Sequence, residues 1–213
     1  MLQEVFKMKS NNSNHFINLK TIIPNIILDI RYYTNNNFIG KQIDGYNKPI
    51  ALLTKEAATS LKEVNNELSK KGYKLKIFDA YRPTIAVDHF IRWSKDLNDQ
   101  KMKKEYYPDI DKSQLIKKGY IAEQSSHSRG STIDLTLVDS NNQELDMGGT
   151  FDYFGEISFP NYPNLTKEQL NNRQLLKDTM LKHGFIQNTN EWWHFTLLNE
   201  PFPNTYFIFP ITN

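Results

Sequence analysis

Cysteine is absent from all 213 residues. No disulfide framework can brace the fold, no thiolate can act as nucleophile, and any metal ion must be held by nitrogen and oxygen. An excess of one charge is missing too. Lys and Arg number 26 against 24 Asp and Glu, a net +2, too balanced for a nucleic-acid footprint or a polybasic membrane surface. No apolar run approaches the ~20 residues of a membrane span. The opening MLQEVFKMKSNNSNHF has neither the apolar middle nor the small-residue cleavage site of a secretory signal. What remains is a small-molecule partner, with no nucleic acid and no membrane. A cytoplasmic location follows by default, or a periplasmic one if a leader has been removed. None of these features speaks to oligomeric state.

The length suits one globular domain with a substantial core. Residues 1–16 are polar, with an Asn/Ser cluster, and read as a weakly ordered leader before a single domain over 17–213. Strands are expected at Ile26–Tyr33, Leu75–Ala80, Ser131–Val138, Glu144–Met147, Gly184–Gln187 and Trp192–Leu198. Helical spacing places helices from Lys55 to about Lys71, capped by Thr54 and ended by Gly72, and from Thr84 to about Leu97. A third, from Thr166 to Lys182, starts at a capping-box pair, Thr166 and Gln169. The long loop from Asn35 to Pro49 reads as a lid or a wall of a site. This order of elements describes an α+β domain, a largely antiparallel sheet with helices on one face and the site on the other.

Chemistry concentrates in SSHSRGSTIDLTL, Ser125–Leu137, where His127 and Asp134 form a His-x6-Asp pair. Strand alternation sends Ile133, Leu135 and Leu137 to a core and Asp134 to the opposite face, where an acid needs a partner. A metal ion suits imidazole and carboxylate, and Gly130 lets the loop turn back to the strand. A third ligand would come from EWWHF, Glu191–Phe195, where an acid and a histidine lie close together among large apolar residues. Singly, His127 reads as a hydrogen-bonding loop residue and His194 as a core histidine; the two motifs together favour a metal.

With DAYRP, Asp79–Pro83, these motifs resemble the zinc D,D-dipeptidases that hydrolyse D-alanyl-D-alanine, the kind associated with vancomycin resistance. NFIGKQIDGY, KEYYPDID, KKGYIA, MGGTFDYF and EPFPNTYFIFP extend the likeness over roughly Leu28 to Pro210. The resemblance implies one Zn²⁺ per chain on His127, Asp134 and His194, with Glu191 as general base. It implies Arg82 beside the oxyanion, with Asp79 and Tyr81 of the same pentapeptide supporting it. Asp152, Ser125 and Tyr32 would meet the free amino end of a dipeptide, and Ser126 its carboxylate. From the pentapeptide alone Arg82 reads first as an ion pair with Asp79, and Asp152 is equally a solvated loop acid. Since strict alternation would put Glu191 and His194 on opposite faces, Glu191 must lie in a turn ahead of the strand. The same His and Asp pattern also occurs in peptidoglycan D,D-carboxypeptidases and endopeptidases. Hedgehog-type zinc-bearing binding domains without turnover share it too. The loop Gly155–Leu165 departs from the family pattern, as does Ala80 in place of a glycine.

Overall fold

The computed structural model describes residues 8–212. In chain order its elements begin with β1 (Met8–Ser10), β2 (Phe16–Asn18), α1 (Leu19–Ile22), β3 (Ile27–Leu28) and β4 (Leu52–Thr54). There follow α2 (Lys55–Ser69), β5 (Lys74–Asp79), α3 (Thr84–Lys95), α4 (Lys103–Tyr106) and β6 (Thr132–Val138). The chain ends with α5 (Lys167–Lys182), β7 (Phe185–Gln187), β8 (His194–Leu197) and β9 (Thr205–Phe207). A five-stranded sheet runs β3-β5-β6-β8-β7, antiparallel at every ladder except β3 with β5. Helices α2 and α5 pack on each other and on β5, β6 and β7. The α+β architecture expected from the order of elements is the one observed.

Strand β6 is buried along its whole length. Its apolar set, Ile133, Leu135 and Leu137, joins the core cluster. Its polar set, Thr132, Asp134 and Thr136, is buried as well, so the alternation in TIDLTLV separates core from site rather than core from solvent. The Cβ that Gly130 lacks would lie 2.4 Å from the Phe16 ring, and its φ of +83° disfavours a side chain in any case. The turn back from His127 to β6 therefore requires glycine there.

Several boundaries differ from expectation. Of the strand expected at Ile26–Tyr33 only Ile27–Leu28 is laddered; Arg31–Tyr33 coils into a 3-10 turn that buries the Tyr32 ring. Glu144–Met147 reduces to one bridge between Glu144 and Val138. There Asp146 bonds Gln169 and Asn172 of α5 instead of a strand partner. Thr54 does precede α2, but its hydroxyl bonds Ser131 Oγ at 2.7 Å instead of capping the helix. The capping box at Thr166 and Gln169 is formed as expected. The leader expected over residues 1–16 falls partly on residues 1–7, which lie outside the described residues. Of its remainder, Met8–Ser10 pairs in parallel with β9.

Candidate metal centre

Three adjacent strands bring the site together. Asp134 in β6 is the register partner of Asp79 in β5 and of His194 in β8. Directly opposed side chains on neighbouring strands stand only ~5 Å apart at Cβ. The β5–β6 register shifts between Ile77 and Asp79, a local irregularity of the kind that re-aims side chains. His127 arrives from the 3-10 turn Ser126–Arg129, which Ser125 caps by accepting from the His127 amide.

Ligand atoms of His127, Asp134 and His194 all lie within 4.8 Å of one another. His127 Nδ1 donates to the Ala80 carbonyl at 2.7 Å, which leaves the Nε2 lone pair facing Asp134 Oδ2 at 3.2 Å and His194 Nδ1 at 3.2 Å. His194 Nε2 is engaged by Ser126 Oγ at 3.3 Å, so its Nδ1 is the inward atom. Asp134 Oδ1 is buried and accepts no hydrogen bond, although His194 Nδ1 stands 3.1 Å away. Two inward imidazole nitrogens and a carboxylate oxygen without a donor are a set that a divalent cation satisfies. Each ring also has an outer hydrogen bond fixing its orientation, as metal-bound histidines require.

Glu191 lies in a turn, with the His194 amide donating to its carbonyl at 3.4 Å. Strand β8 starts only at His194, so the two side chains share a side, and Glu191 Oε2 is 3.3 Å from His194 Nδ1. Arg82 lies three residues beyond the end of β5. Its Nε bonds Asp79 Oδ2 at 2.9 Å and one terminal nitrogen stands 3.5 Å from Asp134 Oδ2. The guanidinium lies over the Tyr32 and Phe90 rings at 5.0 and 5.2 Å. The ion pair with Asp79 and the place in the site are thus both present. Tyr32 donates its hydroxyl to Asp152 Oδ2 at 2.8 Å, deep in the same cavity. That cavity, of about 200 Å³, is walled by Phe38, Phe90, Tyr120, Phe154 and Trp193 besides the polar groups.

A family model for peptidase M15, described as D-Ala-D-Ala dipeptidase, matches residues 12–212. The chain belongs to this family. It is 42% identical over 200 residues to the D-alanyl-D-alanine dipeptidase of Enterococcus faecalis, covering 93% of this chain and 99% of the relative. Against the enzyme of that name from Enterococcus faecium it is 40% identical over 197 residues, 92% of this chain and 98% of the relative. For the Streptomyces coelicolor relative, again a D-alanyl-D-alanine dipeptidase, the figures are 39% over 191 residues, 89% and 95%.

In this M15 chain the carboxyls of the cavity differ sharply. Burial works to raise Asp134, but the two imidazoles outweigh it and hold the group well below the usual carboxylate range. Burial raises Glu191, with His194 opposing, although 31% of its side-chain surface stays open. Burial, reinforced by Asp134, pushes Asp152 well above its ordinary value. Asp152 adopts φ +62°, in the left-handed region.

Of the residues singled out from sequence, His127, Asp134, His194, Glu191, Arg82, Asp152, Tyr32, Ser125 and Ser126 line this cavity, and Asp79 stands behind Arg82. Tyr81 does not join them. Its ring stacks on Phe209 at 4.3 Å and its hydroxyl donates to the Phe209 carbonyl; β5 ends at Asp79, so strand alternation no longer sets the direction of the side chains beyond it. Ser126 meets the outer nitrogen of His194, a contact that sequence spacing did not disclose. Two contributors escaped the sequence reading. Tyr46, from the Asn35–Pro49 loop, donates to Asp79 Oδ1 at 2.7 Å. The Ala80 carbonyl orients His127, and since every residue carries a carbonyl, no sequence signal could have found it.

Proposed function

We propose that this chain is a zinc-dependent dipeptidase that hydrolyses D-Ala-D-Ala to free D-alanine. His127, Asp134 and His194 would hold the ion. Zinc, when bound there, supplies Lewis acidity that lowers the pKa of water and polarises the scissile carbonyl. The observation that carries the reading is the convergence of three ligand atoms, a glutamate and an arginine on one small cavity.

Each side chain then has a task that its surroundings permit. Glu191 takes a proton from the attacking water and returns it to the amine as the C–N bond breaks, which a carboxyl raised by burial does readily. Arg82, oriented by Asp79, presents its charge where the carbonyl oxygen becomes an oxyanion. Asp152 is a buried acid pushed up by burial and by the nearby Asp134 charge, against the opposing Arg82 guanidinium and Tyr32 bond; a substrate ammonium would favour its charged form. Tyr32 fixes the carboxylate that meets this ammonium, and Ser125 lines the same end. Ser126 steadies the His194 ring, so we assign it to ligand orientation in preference to carboxylate binding. A substrate with a blocked amine would leave Asp152 unpaired, which is the physical basis for rejecting longer chains.

No helix among the described residues is long and apolar enough to cross a membrane. A cytoplasmic site of action belongs to this proposal, as does a small dipeptide as the partner.

The deciding experiment loads purified protein with zinc and measures D-alanine released from D-Ala-D-Ala, beside Glu191→Ala and an N-acetylated dipeptide. Release that needs Glu191 and a free amine supports the reading. No release from fully loaded protein overturns it, and equal cleavage of the acetylated compound would favour a D,D-carboxypeptidase acting on longer stems.

A further inference from the structure

Asp152 and Phe154 reach the cavity from a loop, residues 147–159, that has no ladder of its own. Its two feet meet on one side chain of α5. Arg173 Nε donates to the Met147 carbonyl at 2.6 Å, one terminal nitrogen to Ile157 at 2.7 Å and the other to Phe159 at 2.8 Å. Met147 lies five residues before Asp152, and Ile157 five residues after it. A planar guanidinium is suited to this, since its N–H groups point in fixed divergent directions and three carbonyls can be held at set angles. The side chain is buried, and its partners are backbone carbonyls.

The same cluster touches the catalytic glutamate's segment. The Trp192 amide donates to the Ser158 carbonyl at 2.9 Å, and the guanidinium lies 5.7 Å from the Trp192 ring. Trp192 is the residue after Glu191. Further out, Ser158 Oγ donates to the Tyr153 carbonyl, and the Phe154 amide to that of Tyr106. The positive φ at Asp152 thus sits between two anchored feet, a local strain that needs surrounding structure to sustain it.

We propose that Arg173, which does not line the cavity, is a positioning residue that sets the Asp152 carboxylate and the Glu191 segment in register across the cavity. This rests on the reading of Asp152 as the ammonium partner. Burial pushes the guanidinium down to about 10, so it stays charged at neutral pH. The metal ligands depend on other supports: His127 on the Ala80 carbonyl, Asp134 and His194 on the β6–β8 ladder. Loss of Arg173 should therefore separate substrate recognition from metal binding.

The test uses zinc-loaded Arg173→Ala and Arg173→Lys, with steady-state kinetics on D-Ala-D-Ala and on its N-acetyl derivative, and zinc content measured alongside. Misplacement by about an ångström costs on the order of 100-fold in rate, so kcat/KM for the free dipeptide should fall roughly 10- to 100-fold in Arg173→Ala. One zinc per chain should be retained. Preference for the free over the acetylated dipeptide should shrink by a similar factor, Arg173→Lys should recover part of it, and free guanidinium below denaturing levels should raise kcat/KM in Arg173→Ala. Unchanged kcat/KM and preference in folded variants would overturn the proposal. So would failure of both variants to fold, since Arg173 would then serve the core alone. A wild-type enzyme indifferent to acetylation would remove the underlying reading of Asp152, whereas a discriminating wild type with equally discriminating variants removes the Arg173 inference only.

Discussion

Asp134 and His194 are register partners across the β6–β8 ladder, with Asp134 Oδ1 3.1 Å from His194 Nδ1. Hydrogen bonding between strands, and not a flexible loop, sets that spacing. A site built on paired strands is held before any ion arrives, so metal binding needs little rearrangement of these two ligands.

Zinc should stabilise the fold by mass action. At a thousandfold excess over Kd, a ligand that binds only the native state adds ~4 kcal/mol, which for a chain of this size is a rise in Tm of roughly 8–16 °C. Thermal melts with and without chelator check this. Asp134→Ala should abolish the metal-dependent shift while Glu191→Ala retains it.

Arg82→Ala should leave zinc content near one per chain and lower kcat by ~100- to 1000-fold, the range seen when a single oxyanion donor is lost. Arg82→Lys should recover little, because a lysine cannot bond Asp79 and face the cavity with the same rigid fork. Metal analysis paired with kcat separates this from loss of the ion.

Asp152→Asn isolates charge from shape, since asparagine also tolerates the left-handed conformation that residue 152 adopts. Losing a hydrogen bond to a charged group costs about 1.5–3 kcal/mol, so kcat/KM for the free dipeptide should fall ~10- to 150-fold. Kinetics on the acetylated dipeptide should barely change.

Gly130→Ala should destabilise the fold and weaken the metal site together. A Cβ there meets the Phe16 ring at 2.4 Å. Overpacking of this kind costs about 1–3 kcal/mol, with left-handed backbone strain in addition. Chemical denaturation and a zinc titration of the same sample test both effects.

Glu67 on α2 bonds Lys182 and His183 at the end of α5 and Lys71 in the turn that follows its own helix. The Lys182 and His183 bonds, with that of Lys71, hold its carboxyl at about 2. A group depressed on folding contributes stability that is complete above its unfolded value near ~4.3 and is lost as pH falls toward the folded one. Glu67→Gln should therefore lower Tm at neutral pH, and the gap to wild type should close between about pH 4 and 2. A gap that persists at the acid end would contradict the pairing.

The polypeptide's own residue order announced a good deal of this. His-x6-Asp, the Glu-x2-His of EWWHF and the capping box at Thr166 and Gln169 are local patterns, and the structure brings their side chains together. The turn at Glu191 also followed from the chain alone, because period-2 geometry forbade a continuous strand through both residues. Ligand types, the oxygen and nitrogen character of the centre and the helices that cover the sheet are decided by such short-range rules.

What only the tertiary structure decided are relationships between segments far apart in the chain. Which strands neighbour β6 determines that Asp79, Asp134 and His194 stand in a row. The Tyr32–Asp152 bond, the Tyr46–Asp79 bond and the Arg173 hold on both feet of the Asp152 loop each join distant residues. Tyr81 shows the converse, since adjacency to Arg82 in the chain did not bring its ring to the cavity. Backbone carbonyls such as those of Ala80 and Met147 carry no identity in a sequence. Their roles exist only once packing has brought a particular donor to them.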